Sequence, residues 1–465
     1  MKRQQGKANY LFQAIIPNGN RECSIIKEYQ YELKKIGLRL PEILLPHKGI
    51  DLTKWSVIAC DQHASEKDYW EKVKAFVGDS PSTLHLIFPE FYLEDQDAGK
   101  RIARVHSFMR QYLAKNILRP QPPGLILVDR QTRYTESRKG LLFAVDLEKY
   151  SYRKEPGSLI QATEETILDR LPPRMKIREN AALEVPHVML LINDPDRRVI
   201  EPVARHLDDL PELYNFKLMM GGGRLRGFRV DDRPLLSGIV KELTKLAGTG
   251  QTGNLLMAVG DGNHSLANAK AVWEKTKKHL PDRNNRQNHP ARFALAEVIN
   301  LYNENLRFEP IHRVLLNIEC RQLISAVKSY YDCSIEYFEN KTAMEQYLAK
   351  RKSEKNIQSI GFVQEGRYGT VTIKNPAVHP AVANFQPFLE NFLTRRPQAK
   401  IEYIHEEEVV SALGTQAGNT GFYLPLPDKK NLFKTIASHG SLPKKSFSIG
   451  RAEEKRFYME CRKIL

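Results

Sequence analysis

The sequence predicts a mixed α/β fold, and three observations favour this class. Short apolar runs alternate with longer amphipathic stretches through the N-terminal half, which is the pattern of strands layered with helices. The clearest unit is Asn254–Lys278, where the apolar run Leu255–Val259 precedes a glycine turn and the helical stretch Ser265–Lys278. No internal repeat or low-complexity tract interrupts this pattern. We therefore expect an α/β or α+β layering rather than an all-α or all-β plan.

The composition is ordinary for a soluble globular protein. The 465 residues correspond to about three domains by length, with 41% hydrophobic and 27% charged residues. No apolar run approaches the ~20 residues that cross a bilayer, and the N-terminus lacks the apolar segment of a signal peptide. The five cysteines are widely spaced without a C-x-x-C pair, which argues against a disulfide framework or a zinc knuckle. We expect a cytoplasmic protein.

The net charge of +16 raises the question of nucleic-acid binding. Residues 1–40 hold eight Lys or Arg against three Asp or Glu, and residues 428–465 hold ten against four. The two ends thus carry eleven of the sixteen excess charges, and the 387 residues between them are nearly balanced. Basic ends of this kind are more often solvated surface than a nucleic-acid footprint, so nucleic acid is a disfavoured partner.

The pattern divides the chain into four parts. Residues 1–36 are polar, basic and weakly periodic, which predicts an extension with partial disorder. Globular patterning begins after it. The predicted parts that follow are an N-terminal α/β part at 37–155, a core at 156–300 and a C-terminal α+β part at 301–465.

Strands are predicted where short apolar runs end at turn residues, and the last two are expected to pair through Glu365-Gly366. Phe293–Asn300 and Ile311–Leu316 are apolar elements of undetermined type. The predicted strands are Trp55–Ala59, Leu84–Phe88, Leu125–Val128, Leu141–Asp146, Val188–Ile192, Phe228–Val230, Leu255–Val259, Ser334–Phe338, Ile357–Val363 and Thr370–Ile373.

Helices are predicted where apolar residues recur at helical spacing, as in Ser65–Val77, which places Tyr69, Trp70, Val73 and Phe76 on one face. Prolines mark two of the ends, because a proline cannot continue a helix. Arg283–His289 is expected to be a polar loop. The other predicted helices are Asp97–Ile117, Thr163–Leu171, Leu235–Leu246, Ser265–Lys278, Leu323–Tyr331 and Thr342–Arg351.

The turn Gly260–Ser265 carries the strongest functional signal. A glycine turn between a strand and a helix start lets the backbone approach an anion, and free N–H groups at the helix N-terminus point at it. On this interpretation Gly262, Asn263 and Ser265 bind phosphate, His264 contacts a phosphoryl oxygen or a proton, and Asp261 takes a metal or a substrate hydroxyl. The alternative is an ordinary capped helix, with Asn263 or Ser265 satisfying the N–H groups.

A second polar stretch lies at Ser158–Arg178. Glu164 could act as a general base beside Thr166 and the guanidiniums of Arg170, Arg174 and Arg178, because the planar fork of Arg pairs with two phosphate oxygens at once. Taken alone, this stretch is more simply a solvated helix with intrahelical ion pairs.

Other motifs are weaker. Gly248–Gly253 fits G-x-G-x-x-G letter by letter, but it precedes a strand, whereas the dinucleotide fingerprint follows one, so we interpret it as a loop. Asp61 ends a predicted strand, where α/β proteins place ligands. Lys445-Ser446 could bind an anion, although most basic pairs near a C-terminus bind only water and counterions.

Six motifs together resemble one family. They are LPHKGIDLTKWSVIACDQ, STLHLIFPEFYLED, PPRMKIREN, AVGDGNHSLANAKAVWE, FEPIHRVL and LPKKSFSIGRAEEKRFYMECRKI. The chain resembles the bacterial domain of unknown function 1015 family from about Lys35 to its C-terminus. That family is grouped with the ParB/sulfiredoxin-like superfamily, so the resemblance implies a ParB-like core with N- and C-terminal additions. Some members of the superfamily bind nucleotide, and one branch phosphorylates free serine using ADP.

The family's Asp-Gly-His-His-Arg turn falls on residues 261–265 of this chain, with Asn263 in place of the first His and Ser265 in place of the Arg. Its His-Glu-x-Thr motif falls on residues 163–166, with Thr163 in place of the His. Its Pro-Tyr-Asp motif ends at Asp61, and its C-terminal Lys-Ser/Thr pair falls on residues 445–446. The loss of an Arg removes a permanent cation from the implied phosphate site.

The first of three functional hypotheses is a nucleotide-dependent phosphotransferase acting on a small hydroxylated metabolite, with Mg²⁺ and ADP or ATP. Glu164 would take the hydroxyl proton, and Arg174 or Arg178 would steady the transferring group. The second is a non-catalytic protein that binds nucleotide or nucleic acid. The third, a metal-dependent hydrolase, needs Asp61, His63, Asp261 and His264 to meet in space. No membrane partner is expected, and the oligomeric state stays open.

Overall fold

The computed structural model describes residues 27–248, 253–352, 354, 356–451 and 454–465. The predicted Gly248–Gly253 loop falls mostly outside the described residues, as do residues 1–26 of the predicted extension. The strands are β1 (Leu38–Arg39), β2 (Leu44–Pro46), β3 (Leu118–Pro120), β4 (Leu125–Gln131), β5 (Arg138–Asp146), β6 (Tyr150–Ser151), β7 (Ile160–Ala162), β8 (Leu183–Glu184), β9 (Met189–Ile192), β10 (Glu212–Lys217), β11 (Arg224–Val230), β12 (Met257–Asp261), β13 (Phe293–Asn300), β14 (Phe308–Pro310), β15 (His312–Leu316), β16 (Cys333–Phe338), β17 (Ile357–Gln364), β18 (Arg367–Lys374), β19 (Lys400–Ile404), β20 (Thr420–Tyr423), β21 (Phe447–Ile449) and β22 (Arg462–Lys463).

The helices confirm the mixed α/β class. The α-helices are α1 (residues 27–35), α2 (Leu52–Trp55), α3 (Lys67–Val77), α4 (Ala98–Ala114), α5 (Leu171–Arg178), α6 (Glu201–Ala204), α7 (Arg233–Gly248), α8 (Asn263–Thr276), α9 (Arg283–Asn288), α10 (Cys320–Tyr330), α11 (Lys341–Arg351), α12 (Ala381–Thr394), α13 (Glu407–Gly414) and α14 (Lys429–His439). Short 3₁₀ turns lie at Thr83–His85, Glu90–Tyr92, Leu147–Lys149, Leu168–Arg170, Leu207–Asp209, Met219–Gly221, Lys277–His279 and Pro290–Arg292.

A ten-stranded mixed sheet forms the centre of the molecule. Its order is β10-β11-β4-β5-β13-β9-β12-β7-β6, and β1 pairs with β5. β12 runs antiparallel to β9 and parallel to β7. All eight residues of β13 are buried, because apolar clusters cover both faces of the sheet. Strands covered on both faces read as continuous apolar runs rather than as an alternation, which explains why Phe293–Asn300 gave no clear period.

A smaller antiparallel sheet follows in the order β16-β18-β17-β20-β15-β19. β17 and β18 pair as a hairpin through Glu365 and Gly366, which both adopt positive φ angles of 48° and 80°. This is the geometry of the tight turn that matches strand twist, and it confirms the predicted pairing. Helices α10 and α12 pack on one face, with Leu323 and Phe385 in their shared core.

The predicted parts of the chain share their cores. β5 from the first α/β part pairs with β13 from the next, so one sheet runs across residue 155. Leu33 and Ile36, inside the predicted extension, are buried in the main apolar cluster. The last residues pack against the N-terminal part, where the Trp55 indole N–H donates to the Met459 carbonyl at 3.0 Å.

Two predicted strands are wrong. At Trp55–Ala59 only Trp55 is helical, as the last residue of α2, and residues 56–59 form no strand apart from an isolated bridge between Ile58 and Phe457. The Asp51 carboxylate caps the N-terminal amides of α2. At Leu84–Phe88 the chain forms a 3₁₀ turn capped by Ser82. The apolar residues of both runs are buried in the core. A short buried apolar run does not by itself specify a strand.

The prediction of a helix at Thr163–Leu171 is also wrong. Residues 163–167 are not helical, and α5 begins at Leu171 and includes Pro172-Pro173 in its first turn. Proline is tolerated there because the first N–H groups of a helix have no partner within the helix. The predicted loop Arg283–His289 is largely helix α9, capped by Asp282. No helix in the described residues is both long and apolar enough to span a bilayer.

Candidate functional site

The turn between β12 and α8 is built around one glycine in the left-handed region. Gly262 has φ 82° and ψ 29° and stands at the N-cap position of α8. A Cβ at this position would lie 3.1 Å from both Cα and Cγ2 of Val188, so a side chain meets strain in backbone and in space. The turn brings the helix start to the edge of the sheet, where a cavity opens.

The N-cap residue of α8 is Gly262, which has no side chain to cap the first turn of the helix. Asn263 does not cap it; its amide Nδ2 instead donates to Thr163 Oγ1 at 3.3 Å. Asp261 Oδ1 accepts the Gly262 N–H at 2.9 Å. The capped-helix alternative, with Asn263 or Ser265 as cap, therefore does not describe this turn. An uncapped helix start is the arrangement that favours an anion.

Two amide oxygens near this turn have no partner among the residues that the structure describes. They are Oδ1 of Asn263 and Oδ1 of Asn268, and both residues line the cavity. Asn268 is 9% exposed, and its Nδ2 donates to the Arg174 carbonyl at 3.2 Å. A buried unpaired amide oxygen is costly, so it indicates a donor group on whatever occupies the cavity.

The cavity has a volume of about 400 Å³. It brings together residues that sequence analysis singled out from separate segments, although whether they act together in a reaction stays a prediction. Those on its wall are Asp61, Glu164, Arg174, Arg178, Asp261, Gly262, Asn263, His264, Ser265 and Lys445.

Two predicted site residues are not on this wall. Thr166 is partly buried, and its Oγ1 has no partner among the described residues, but it does not line the cavity. Ser446 is 3% exposed and uses its hydroxyl locally, donating to the Pro443 carbonyl at 2.6 Å. Neither residue lines the cavity, and a phosphate-binding role for either one stays a prediction.

Glu164 is held by the loop that follows α14. Its Oε1 accepts the N–H groups of Ser446 and Phe447 at 2.9 and 3.3 Å, and its Oε2 accepts that of Lys445 at 3.0 Å. Burial raises the pKa of Glu164, and these amides lower it only in part. The carboxylate is thus fixed in position while remaining a better proton acceptor than an ordinary Glu.

Asp261 pairs with a residue that the sequence did not indicate. Lys455 Nζ lies 3.0 Å from Asp261 Oδ2 and 3.1 Å from Ser448 Oγ. The lysine side chain is 11% exposed and lines the cavity. It places a largely desolvated cation beside the helix start.

A chain of polar groups lies at the edge that carries Asp61. His187 Nε2 is 3.9 Å from Asp61 Oδ2, and His187 Nδ1 is 3.1 Å from the Tyr458 hydroxyl. Burial would raise the pKa of Asp61, but His187, the side-chain amide of Gln62 and Lys455 together lower it. Burial raises the pKa of the neighbouring Cys60 thiol to about 12, so it is not a thiolate nucleophile near neutral pH.

Both predicted arginines already pair with carboxylates. Arg174 Nε donates to Glu90 Oε1 at 2.7 Å, and Arg178 Nη2 donates to Glu184 Oε2 at 2.6 Å. Glu184 also accepts from Arg462 at 2.6 Å. Each guanidinium is therefore oriented by a carboxylate at the cavity wall. Nothing in the sequence pointed to Glu90, His187 or Lys455, because each lies far along the chain from its partner.

The metal-dependent hydrolase hypothesis finds no support in the geometry. The described residues contain no group of three or more His, Cys, Asp or Glu placed to hold a metal ion. His63 pairs with Glu66 at 2.9 Å and stacks on Tyr69, and it is absent from the cavity wall. The four residues of that hypothesis do not converge on one metal site.

The chain has a mixed α/β fold with a cavity at a strand-to-helix turn, and a family model identifies its family. The sequence matches the family described as "Protein of unknown function (DUF1015)" over residues 44–394. The chain therefore belongs to the DUF1015 family. Among curated proteins, none matches it.

Solved structures give more distant likenesses. A conserved hypothetical protein from Pyrococcus furiosus aligns at 9% identity and TM-score 0.34, covering 69% of this chain and 90% of that one. A free serine kinase in complex with AMP aligns at 9% and 0.38, covering 72% and 95%. SbnI with C-terminal truncation from Staphylococcus aureus aligns at 9% and 0.34, covering 66% and 83%. At these TM-scores the likenesses carry no conclusion, and they do not establish a ParB/sulfiredoxin-like core.

Proposed function

We propose that the cavity binds the phosphates of a nucleotide, ADP or ATP, and transfers a phosphoryl group to the hydroxyl of a small metabolite. The observation that carries this proposal is the start of α8 at a glycine N-cap, which lies on a cavity whose wall includes Lys445 and Lys455. The positive end of a helix and two ammonium groups together suit a polyphosphate.

The phosphates lie against the backbone of Gly262–Ser265 in this proposal. The unpaired oxygens of Asn263 and Asn268 accept N–H or O–H groups from the nucleotide or the metabolite. His264 contributes its ring, whose Nε2 also accepts the Ile167 N–H at 3.4 Å. Arg174 and Arg178, both on the cavity wall, contact the transferring group with guanidiniums that Glu90 and Glu184 hold in orientation.

Glu164 accepts the proton of the metabolite hydroxyl. The hydroxyl oxygen forms a bond to the terminal phosphorus, the bond from that phosphorus to the nucleotide oxygen breaks, and the nucleotide leaves with one phosphate fewer. The raised pKa of Glu164 and its fixed position support this role. Such a transfer depends mostly on positioning and charge neutralisation, which the cations of the cavity supply.

The residues present do not fit a resident metal ion. Asp261 directs one oxygen to the Gly262 N–H and the other to Lys455. The proposed phosphoryl transfer involves no protein-bound metal ion.

A ligand-induced shift in melting temperature tests the proposal. ADP, ATP, CTP and GTP are added with Mg²⁺ at millimolar concentration, and we expect ADP or ATP to stabilise the protein in proportion to occupancy. No shift with any nucleotide would refute nucleotide binding. Consumption of the nucleotide is then followed by ³¹P NMR in the presence of hydroxylated amino acids as phosphoryl acceptors, beginning with free serine. A protein that binds nucleotide without consuming it would be the non-catalytic binding protein of the second hypothesis.

A charge placed at the helix start sharpens the test. Ser265→Glu puts a carboxylate where the phosphates would lie, and it should abolish the nucleotide shift. The unliganded protein should not lose stability, because an acidic side chain at a helix N-terminus contributes roughly 0.3–1 kcal/mol. His279→Glu is the matched control, since His279 is exposed and does not line the cavity. Equal shifts in the two variants would place the nucleotide elsewhere.

A further inference from the structure

A second cavity of about 830 Å³ lies between the smaller sheet and α14. Its wall shares no residue with the cavity at α8. The lining is predominantly apolar, with Met344 and Leu348 from α11, Tyr423 from β20 and Leu432 from α14. This size and character match a site for a small organic molecule.

His312 is the most deeply buried of the polar residues that line this cavity, which also include Gln358 and Thr435. It is 1% exposed, and its Nδ1 accepts the Leu424 backbone N–H at 3.1 Å. Burial lowers the pKa of His312 to about 4, against the opposing effect of Glu407 and with smaller contributions from Arg313, Lys341 and His405. The ring is therefore neutral near pH 7, and its proton is on Nε2 because Nδ1 is an acceptor.

The Nε2 of His312 has no hydrogen-bond partner in the described part of the chain. The nearest carboxylate oxygen, Glu407 Oε1, is 3.9 Å away, which is too long for a hydrogen bond. The other oxygen of Glu407 accepts from Lys341 at 2.7 Å. Two residues that line the cavity thus present a donor and an acceptor 3.9 Å apart that do not bond each other.

A group that both accepts and donates a hydrogen bond satisfies the two residues, and a hydroxyl is the smallest such group on an organic molecule. A hydroxyl accepts a hydrogen bond from Nε2–H and donates its own hydrogen to Oε1 of Glu407. A carboxylate accepts the first bond but is repelled by the glutamate, and a hydrocarbon makes neither. The Tyr423 ring, 5.8 Å from the His312 ring, and the Met344 thioether suit an aromatic body.

We propose that this cavity is a second ligand site, selective for a small aromatic alcohol whose hydroxyl bridges His312 and Glu407. The site is independent of the function proposed for the cavity at α8, because no residue is shared between the two walls.

Three probes of similar size test the selectivity on the full chain by ligand-observed NMR and calorimetry. Phenol carries the hydroxyl, toluene lacks it, and benzoate replaces it by a charge. We expect phenol to bind roughly tenfold more tightly than toluene, the effect of satisfying one buried donor, and benzoate to bind more weakly than either. Equal affinities for phenol and toluene, or no binding of phenol at ~10 mM, would overturn the proposal.

Two variants locate the binding. Glu407→Gln removes the repulsive charge, so benzoate should gain affinity relative to phenol. An unchanged ratio of the two affinities would contradict the hydroxyl bridge between His312 and Glu407.

Ala349→Trp narrows the cavity from α11 and should abolish phenol binding. Gln346→Trp is its control, because Gln346 is exposed on the same helix and does not line the cavity. Phenol binding that survives Ala349→Trp unchanged would place the site elsewhere.

Discussion

Lys455 donates to Asp261 across 194 positions of the chain, with Nζ 3.0 Å from Oδ2. The two side chains are 11% and 20% exposed, so each charge depends on the other for neutralisation. The same ammonium reaches Ser448 Oγ. This pair joins the turn before α8 to the last described segment, residues 454–465.

Replacing Lys455 should therefore cost more than an ordinary surface lysine. Lys455→Met leaves the Asp261 carboxylate uncompensated, and we expect a loss of about 1–3 kcal/mol, below the value for a fully buried pair because solvent reaches part of it. The measurement is urea unfolding of the single variants and of Lys455→Met with Asp261→Asn. The double variant should recover part of the loss; strictly additive losses would mean that the two residues do not interact.

Because Gly262 has a left-handed backbone conformation, replacing it by Ala should destabilise the protein, whereas the same replacement at Gly238 should stabilise it. Gly262→Ala places a side chain at φ 82°, 3.1 Å from Val188, and should cost about 1–2 kcal/mol or more. Gly238→Ala in α7 meets nothing within 4 Å and should stabilise by roughly 0.5–1 kcal/mol. Thermal and urea unfolding of the two variants gives the comparison. If Gly262→Ala were neutral, the turn geometry described above would be wrong.

Glu164 should act as the anchor of the loop at 445–447. Glu164→Ala leaves three backbone N–H groups without an acceptor, at a cost of about 1–3 kcal/mol. The amides of Lys445, Ser446 and Phe447 should exchange with solvent faster, as measured by hydrogen exchange and NMR. Glu165→Ala is the neighbouring control, since the side chain of Glu165 forms an ion pair with the exposed Lys154 and does not hold the 445–447 loop amides. Unchanged protection of these amides in Glu164→Ala would contradict the anchor.

His312 should make stability depend on pH between about 6.5 and 4. Its pKa is about 4 in the folded protein and 6.5 ordinarily, so the unfolded chain binds the extra proton within this window. Stability is therefore full above pH 6.5 and falls as the pH drops, by about 3 kcal/mol in total from this group. Urea unfolding from pH 4 to 7.5 should show a shallower slope in His312→Gln than in the natural chain. Identical slopes would assign the pH dependence to other groups.

The site turn could be predicted from sequence because its signal is local. Apolar run, glycine turn and helix follow each other within 25 residues, and the structure shifts the helix start only from Ser265 to Asn263, since Gly262 takes the cap position. The hairpin at Glu365-Gly366 was likewise predictable, because turn residues between two β-rich runs specify it.

The partners of the site residues could not be predicted in this way. Lys455, His187 and Glu90 lie far along the chain from their partners, and only the fold brings them to Asp261, Asp61 and Arg174. The basic C-terminal segment shows the same limit. Lys455, Arg456 and Arg462 contribute to its positive charge, yet all three are buried in ion pairs with carboxylates and offer no surface to nucleic acid.

The packing of Met459 against Trp55 has a consequence for how the protein is made. Trp55 donates to a carbonyl 404 positions later, and Phe457, Tyr458 and Ile464 belong to the same apolar cluster as Trp55. A growing polypeptide on the ribosome exposes the early half of that cluster while the later strands are still being translated. Lys455 forms part of the wall of the candidate cavity, so this wall is incomplete until the segment that contains Lys455 has been translated.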